Sequence, residues 1–225
     1  MKDLAKKAFG GLLSLIIILA TSLFLPAWTL DYPEAWIFLA VFFFPVLAIT
    51  GYLIKRDPKL LERRINAGPV AEKERSQKII QFLAAIAFIS IFALSATDHR
   101  FKWSMVPVHL VVAVDILVVF GLLVVFFVFK ENSFASATIE VGIEQTVVST
   151  GPYALVRHPM YSGAFVMLLG MPLALGSWWG LLAVIPIVVT IVWRLLDEER
   201  FLEKNLPGYL AYRNKVKYRL LPLIW

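Results

Sequence analysis

Six apolar stretches, each near the length of a bilayer-spanning helix, leave this chain little choice but a helical membrane bundle. They are Ala8 to Trp28, Ala35 to Ile54, Ile79 to Ala96, Val106 to Phe129, Met160 to Leu175 and Trp178 to Leu196. About 20 apolar residues carry a helix across the hydrocarbon, where backbone groups must be satisfied internally. Hydrophobic residues make up 60% of the 225, charged residues 17%, and mean hydropathy is +0.77. A soluble domain holds roughly 45–50% apolar and about 25% charged residues, so the excess needs lipid. No Pro/Gly/Ser-rich linker, repeat or low-complexity tract divides the chain. The expected fold is an all-α integral membrane protein, one membrane domain over 1–225. Four N-terminal segments fall in 1–130 and a distinct C-terminal core in 131–225.

The fifth segment is short, contains Gly163, Gly170 and Pro172, and is separated from the sixth by Gly176 and Ser177. This predicts a tight helical hairpin that stops short of the far interface. Lys2, Lys6 and Lys7 precede the first segment in the manner of a signal peptide. The run is too long and no small-x-small cleavage site follows, so a retained span is expected.

Basic residues fall on one side of a six-crossing arrangement. They include Lys2, Lys6 and Lys7, the Lys55 to Lys78 loop, Lys130, Arg157, and the cluster from Arg200 to Arg219. The positive-inside rule makes that side, with both termini, cytoplasmic. The net charge of +6 then suits anionic lipid headgroups rather than nucleic acid.

Cysteine is absent, which excludes disulfides, thiolate nucleophiles and Cys-based metal sites. His99, His109 and His158 show no metal-ligand spacing, so no metal is expected. No P-loop, GxGxxG or GxSxG motif occurs. In the Lys55 to Lys78 loop, Asp57-Pro58 predicts a helix start. Leu60, Leu61 and Ile65 give it an apolar face, with Arg63 and Arg64 on the polar side. A helix lying in the headgroup layer is the expected result.

The chemistry concentrates at Gly151 to Gly163, GPYALVRHPMYSG. Tyr153, Arg157, His158 and Tyr161 lie within nine residues of one another, between apolar segments. Polar groups at a membrane edge usually face a bundle interior or a ligand cavity. A second constellation follows the sixth segment: Arg194, Asp197, Glu198, Glu199, Arg200, then Tyr209, Tyr212, Tyr218 and Arg219. Arg194 and Glu198 are four apart and share a helix face, which predicts a local pair. Glu199 points about 100° away, with Leu195 behind it, and is expected to be freer to meet a ligand.

The ordered set Asn132-Ser-Phe-Ala-Ser136, Gly151-Pro-Tyr153, Arg157-His-Pro159, Tyr161-Ser-Gly163, Glu198-Glu199, Tyr209, Tyr212 and Tyr218-Arg-Leu-Leu-Pro222 resembles the isoprenylcysteine carboxyl methyltransferase family and its prokaryotic relatives. Phospholipid N-methyltransferases and methanethiol methyltransferases share this C-terminal core. The resemblance implies a membrane methyltransferase using S-adenosylmethionine, with 131–225 as the methyltransferase core. It implies a lipophilic acceptor, no nucleic-acid partner, and a prokaryotic cell-membrane setting. It assigns cofactor binding to Tyr153, Arg157, His158, Pro159, Tyr161, Gly163, Glu198, Glu199, Tyr209 and Tyr212. Arg157 and His158 suit the cofactor carboxylate, a glutamate its amine or ribose hydroxyls, and the tyrosines its adenine and sulfonium. The chemistry itself is assigned to Glu199 and Arg219, with Glu199 as base if the acceptor is an amine. Carboxyl O-methylation of an isoprenylcysteine-like molecule is the leading expectation. Phospholipid N-methylation, small-thiol S-methylation, and an NADPH-dependent sterol-type reductase with a related C-terminal end are the alternatives. The oligomeric state is not legible in the sequence.

Overall fold

A computed structural model of the chain describes residues 2–142 and 144–225. The helices are α1 (Lys2–Ala27), α2 (Pro33–Arg56), α3 (Pro58–Ile65), α4 (Arg75–Phe101), α5 (Val108–Glu131), α6 (Pro159–Ala174), α7 (Leu181–Asn205) and α8 (Tyr209–Lys215). A 3-10 turn covers Gly151–Ala154, and no strand occurs among the described residues.

Four helices, α1, α2, α4 and α5, are long and apolar enough to cross a membrane. The expected fifth and sixth spans differ from them. Helix α6 has 16 residues, about 24 Å at 1.5 Å per residue, against a hydrocarbon core of about 30 Å. Helix α7 is long, but its apolar part ends at Trp193, and Arg194, Asp197, Glu198 and Glu199 follow within the same helix. The structure therefore holds four long apolar helices and a shorter apolar pair. That pair is joined as a hairpin but not packed as one. Helix α6 lies chiefly against α5, and α7 chiefly against α4.

Small residues permit the α5–α6 contact. A Cβ on Gly163 would lie 2.8 Å from the Gly121 carbonyl oxygen, and one on Gly121 would lie 2.6 Å from that of Gly163. Close backbone approach of this kind is how helices associate where no hydrophobic drive exists between them. Gly163 is thus a packing residue between two helices. It does not line the cavity described below.

At the hairpin end, Gly176 takes φ +74 to turn the chain. Buried Asp98 at the end of α4 accepts from the Ser104 backbone N–H (2.8 Å), the Ser104 hydroxyl (2.5 Å) and the Ser177 hydroxyl (2.5 Å). Tyr32 donates to the Leu175 carbonyl (2.5 Å) and stacks on His99. Trp28, Trp36, Trp103, Trp178 and Trp179 are exposed around this end, the position of an interfacial aromatic belt.

The opposite, open end carries α3, α8 and the long loops. Asp57 caps α3 by accepting from the Leu60 N–H (3.0 Å), with Pro58 at its first position. Its apolar face is spent on protein rather than on headgroups. Leu60 and Leu61 are buried with Ala8, Leu53, Val128 and Phe129. Arg63 and Arg64 reach the loop after α5, donating to the Ser133 and Ser136 carbonyls.

Candidate functional site

The site is built where the loop after α5, the start of α6, the end of α7 and α8 converge. Asn132 opens the loop. Its Oδ1 accepts from the Phe134 N–H (2.9 Å) to form a side-chain turn, and its amide donates to the Tyr153 hydroxyl (2.9 Å). Tyr153 sits in the 3-10 turn, whose carbonyl accepts from the Tyr212 hydroxyl (2.8 Å). One motif residue thereby ties α5, the turn and α8 together.

The Arg157-His158 pair enters α6 from outside the helix, because Pro159 disfavours the helical conformation at His158, which stands at the N-cap. The free backbone groups are satisfied by the chain's C-terminal segment. Arg157 N–H donates to the Tyr218 carbonyl and His158 N–H to that of Arg219, each at 2.9 Å. The Ser162 hydroxyl adds a bond to the Leu220 carbonyl (2.6 Å).

Glu199 is the hub of this crossing. It is 4% exposed. Its Oε1 accepts from Arg157 Nε (2.7 Å) and lies 3.2 Å from His158 Nε2, and its Oε2 accepts from Arg219 Nε (3.0 Å). Burial raises the carboxyl pKa, but the hydrogen bonds from His158, Arg157 and Arg219 outweigh it and hold the group down to about 2. Arg157 also donates to the Val216 and Lys217 carbonyls.

This reverses the expectation for the two glutamates. Glu199 is fully engaged, because the helix face it occupies meets the start of α6 and the C-terminal segment. Of the two, Glu198 is the one that lines the cavity described below. Nor does Glu198 depend on a direct pair with Arg194. That guanidinium pairs with Glu72 (2.8 Å) and donates to Gln77 (3.0 Å) and the Ala137 carbonyl (2.8 Å). It shares the Tyr161 hydroxyl with Glu198. Arg194 Nε donates to that oxygen (3.2 Å), and the hydroxyl donates to Glu198 Oε2 (2.7 Å).

A cavity opens beside this network. Eight of the expected site residues line it: Tyr153, Arg157, His158, Pro159, Tyr161, Glu198, Tyr209 and Tyr212. Its other wall comes from residues within 132–140 and 145–148, including Glu140 and Gln145. Gly163, Glu199 and Arg219 stand outside the lining. Asn132 opens the motif, yet the motif assigns it no role. Glu72 and Gln77 lie in a basic loop and a helix start with no motif to mark them.

Tyr209 adds a buried polar group to the cavity lining. It is 4% exposed, and its hydroxyl has no hydrogen-bond partner among the described residues. A buried polar atom left unpaired costs about 1–3 kcal/mol, which a ligand acceptor would recover. Burial, then the Glu199 and Glu198 carboxylates, push its pKa up, so it remains a protonated donor. Burial likewise pushes Tyr153 up to about 12. Among the described residues no cluster of His, Asp or Glu could hold a metal ion.

Residues 109–207 match the family model described as phospholipid methyltransferase, a family that takes in isoprenylcysteine carboxyl methyltransferase-like proteins. The match runs from the start of α5 to the end of α7, and so contains the α6 motif and both glutamates. It supports a membrane methyltransferase. A search among curated proteins finds no match to the chain.

Proposed function

We propose that the protein is an integral-membrane, S-adenosylmethionine-dependent methyltransferase whose lipophilic acceptor meets the cofactor in this cavity. The observation that carries the reading is the coincidence of the family match with a cavity lined by its motif residues and holding a buried, unpartnered tyrosine hydroxyl.

The residues fit the cofactor. Glu198 can accept from its amine or ribose hydroxyls. Tyr209 can donate to a nitrogen or oxygen acceptor. The faces of Tyr153, Tyr161 and Tyr212 suit adenine and a sulfonium cation. When bound, the cofactor would supply an electrophilic methyl group on a sulfonium, transferred to the acceptor's lone pair with a neutral thioether as the leaving group. The protein's part is then orientation and exclusion of water rather than covalent chemistry. Glu199 and the cations around it hold the Arg157-His158 crossing in place. Held at about 2, Glu199 is unsuited to accept a proton.

For the acceptor, the resemblance points to the carboxylate of an isoprenylcysteine-like molecule, which is ionised at neutral pH and needs no base. One observation favours a second reading, an amine acceptor as in phospholipid N-methylation. Arg157 and Arg219 are engaged by Glu199, and the carboxylates bordering the cavity are Glu198 and Glu140. Glu198 would then take the proton an amine must lose.

We also read the open end as cytoplasmic, because Lys55, Arg56, Lys59, Arg63, Arg64 and the 200–219 basic cluster lie there. A reporter fused after Trp225 should read cytoplasmic, and one at Gly176 external.

Calorimetry on the detergent-solubilised protein tests the cofactor. Saturable binding of S-adenosylmethionine is expected; binding of NADPH in its place would transfer the site to the reductase reading. Methyl-labelled cofactor incubated with membranes then identifies the acceptor. Label released by base as volatile methanol denotes a methyl ester, and label that stays non-volatile after base denotes an N-methyl product.

A further inference from the structure

The N-terminal half of the chain lies largely outside the family match, yet it places one fully buried carboxylate beside the site. Glu72, in the connection between α3 and α4, is 3% exposed. Its Oε1 lies 2.8 Å from Arg194 Nη1 and accepts from Gln81 (3.3 Å). Its Oε2 accepts from the Ile139 N–H (3.4 Å). Ile139 belongs to the loop that walls the cavity.

Arg194 then links that carboxylate to the site. Its donors run to Glu72, to Gln77, to the Ala137 carbonyl and to the Tyr161 hydroxyl. Only two bonds, Arg194 to Tyr161 (3.2 Å) and Tyr161 to Glu198 (2.7 Å), separate the buried pair from the cavity carboxylate. A guanidinium fork has fixed geometry, so pinning one end of Arg194 at Glu72 sets where its Nε points. Without a carboxylate at position 72, Arg194 is a cation with an alternative partner four residues along its own helix, Glu198. That direct pairing would draw Glu198 off Tyr161 and cap the charge facing the cavity.

We propose that Glu72 is a positioning residue of the site. It holds Arg194 away from Glu198 and onto Tyr161. The inference rests on the reading of the cavity as the cofactor site.

The test is a double-mutant cycle on S-adenosylmethionine affinity, measured by calorimetry in detergent, with Glu72→Gln and Glu198→Gln singly and together. Glu72→Gln is expected to raise Kd about tenfold, which corresponds to about 1.4 kcal/mol. Because Glu72 acts through Glu198, the double variant should bind no more weakly than Glu198→Gln alone. A merely structural role would lower the melting temperature yet leave Kd unchanged, or give penalties that add; either result overturns the proposal. Glu72→Asp keeps the charge and should recover part of the affinity. Should Glu72→Gln fail to accumulate, Tyr161→Phe enters the same cycle, since it removes only the hydroxyl at which the chain of bonds meets Glu198. Wild-type affinity or additive penalties there also overturn it. If the wild-type protein binds no S-adenosylmethionine, the reading of the cavity fails instead, and that outcome is distinguishable from every other.

Discussion

Two buried carboxylates hold opposite ends of the same helical hairpin, and they are built differently. Asp98, at the hairpin end, is 1% exposed and accepts from neutral groups, the Ser104 N–H and hydroxyl and the Ser177 hydroxyl. Glu199, at the open end, is 4% exposed and accepts from Arg157, His158 and Arg219. Both fasten segments distant in sequence. The first is a latch: its donors are two serine hydroxyls and a backbone N–H. The second gathers cations at the edge of a cavity and borrows the C-terminal segment to do so. A carboxylate with neutral donors fixes a turn. A carboxylate with more positive than negative partners also sets the electrostatics of the space next to it.

The comparison breaks most sharply at Glu199. Glu199→Gln leaves two guanidinium groups without their buried counter-charge, and loss of one partner of such a pair costs about 3–5 kcal/mol. A large fall in melting temperature, with cofactor affinity lost alongside it, is expected. A variant that melts normally but fails to bind would show that Glu199 meets ligand directly.

Acid should reproduce part of that effect. The folded-state pKa of Glu199 is depressed to about 2, below the usual value of about 4.3. Its contribution to stability is therefore complete above the usual value and drains away as pH falls toward 2. Melting temperature should drop between pH 5 and 3 in the wild-type protein and drop less in Glu199→Gln. Equal slopes in the two would contradict the assignment.

Asp98→Asn should behave as a latch mutation. Hydrogen bonds to a charged group contribute about 1.5–3 kcal/mol, so thermal unfolding should shift by an amount in that range. Calorimetry on the folded fraction should return wild-type affinity for S-adenosylmethionine. A changed Kd would couple the two ends of the hairpin and erase the distinction between them.

Glu198→Gln should do the reverse, weakening cofactor binding about tenfold, or about 1.4 kcal/mol, with an unaltered melting temperature. The smallest effect is expected at Tyr209. Tyr209→Phe removes a buried hydroxyl that lacks a partner, so the ligand-free protein should be as stable or slightly more stable. The rise in melting temperature on adding S-adenosylmethionine should shrink. An unchanged ligand-induced rise would show that this hydroxyl does not reach the cofactor.

Local patterns carried most of the architecture into view. The apolar runs marked α1, α2, α4 and α5 because membrane helices must be long and apolar regardless of neighbours. The Asp57-Pro58 start of α3 was readable for the same reason, since a cap is a contact within four residues. The motif from Tyr153 to Tyr161 and the Glu198-Glu199 pair were legible as one polar group at one end of the bundle. The fate of α3's apolar face was not. Leu60 and Leu61 fit a lipid surface or a protein core equally well by pattern, and only Ala8, Leu53 and Phe129 standing opposite them decide. Gly163 sits within a ligand motif, and its contact with Gly121 on α5 cannot be seen from either residue's neighbours in the chain.

By itself, then, the sequence determined that the chain is a bundle of apolar helices of membrane-spanning length and that its motif residues gather between the start of α6 and the end of α7. Tertiary structure decided which of two adjacent glutamates faces the cavity. Helical spacing places them about 100° apart but says nothing about which element lies against each face. The C-terminal segment and the start of α6 take one face and enclose Glu199 in donors. The other is left to Tyr161 and the cavity, steadied by a carboxylate more than a hundred residues earlier in the chain.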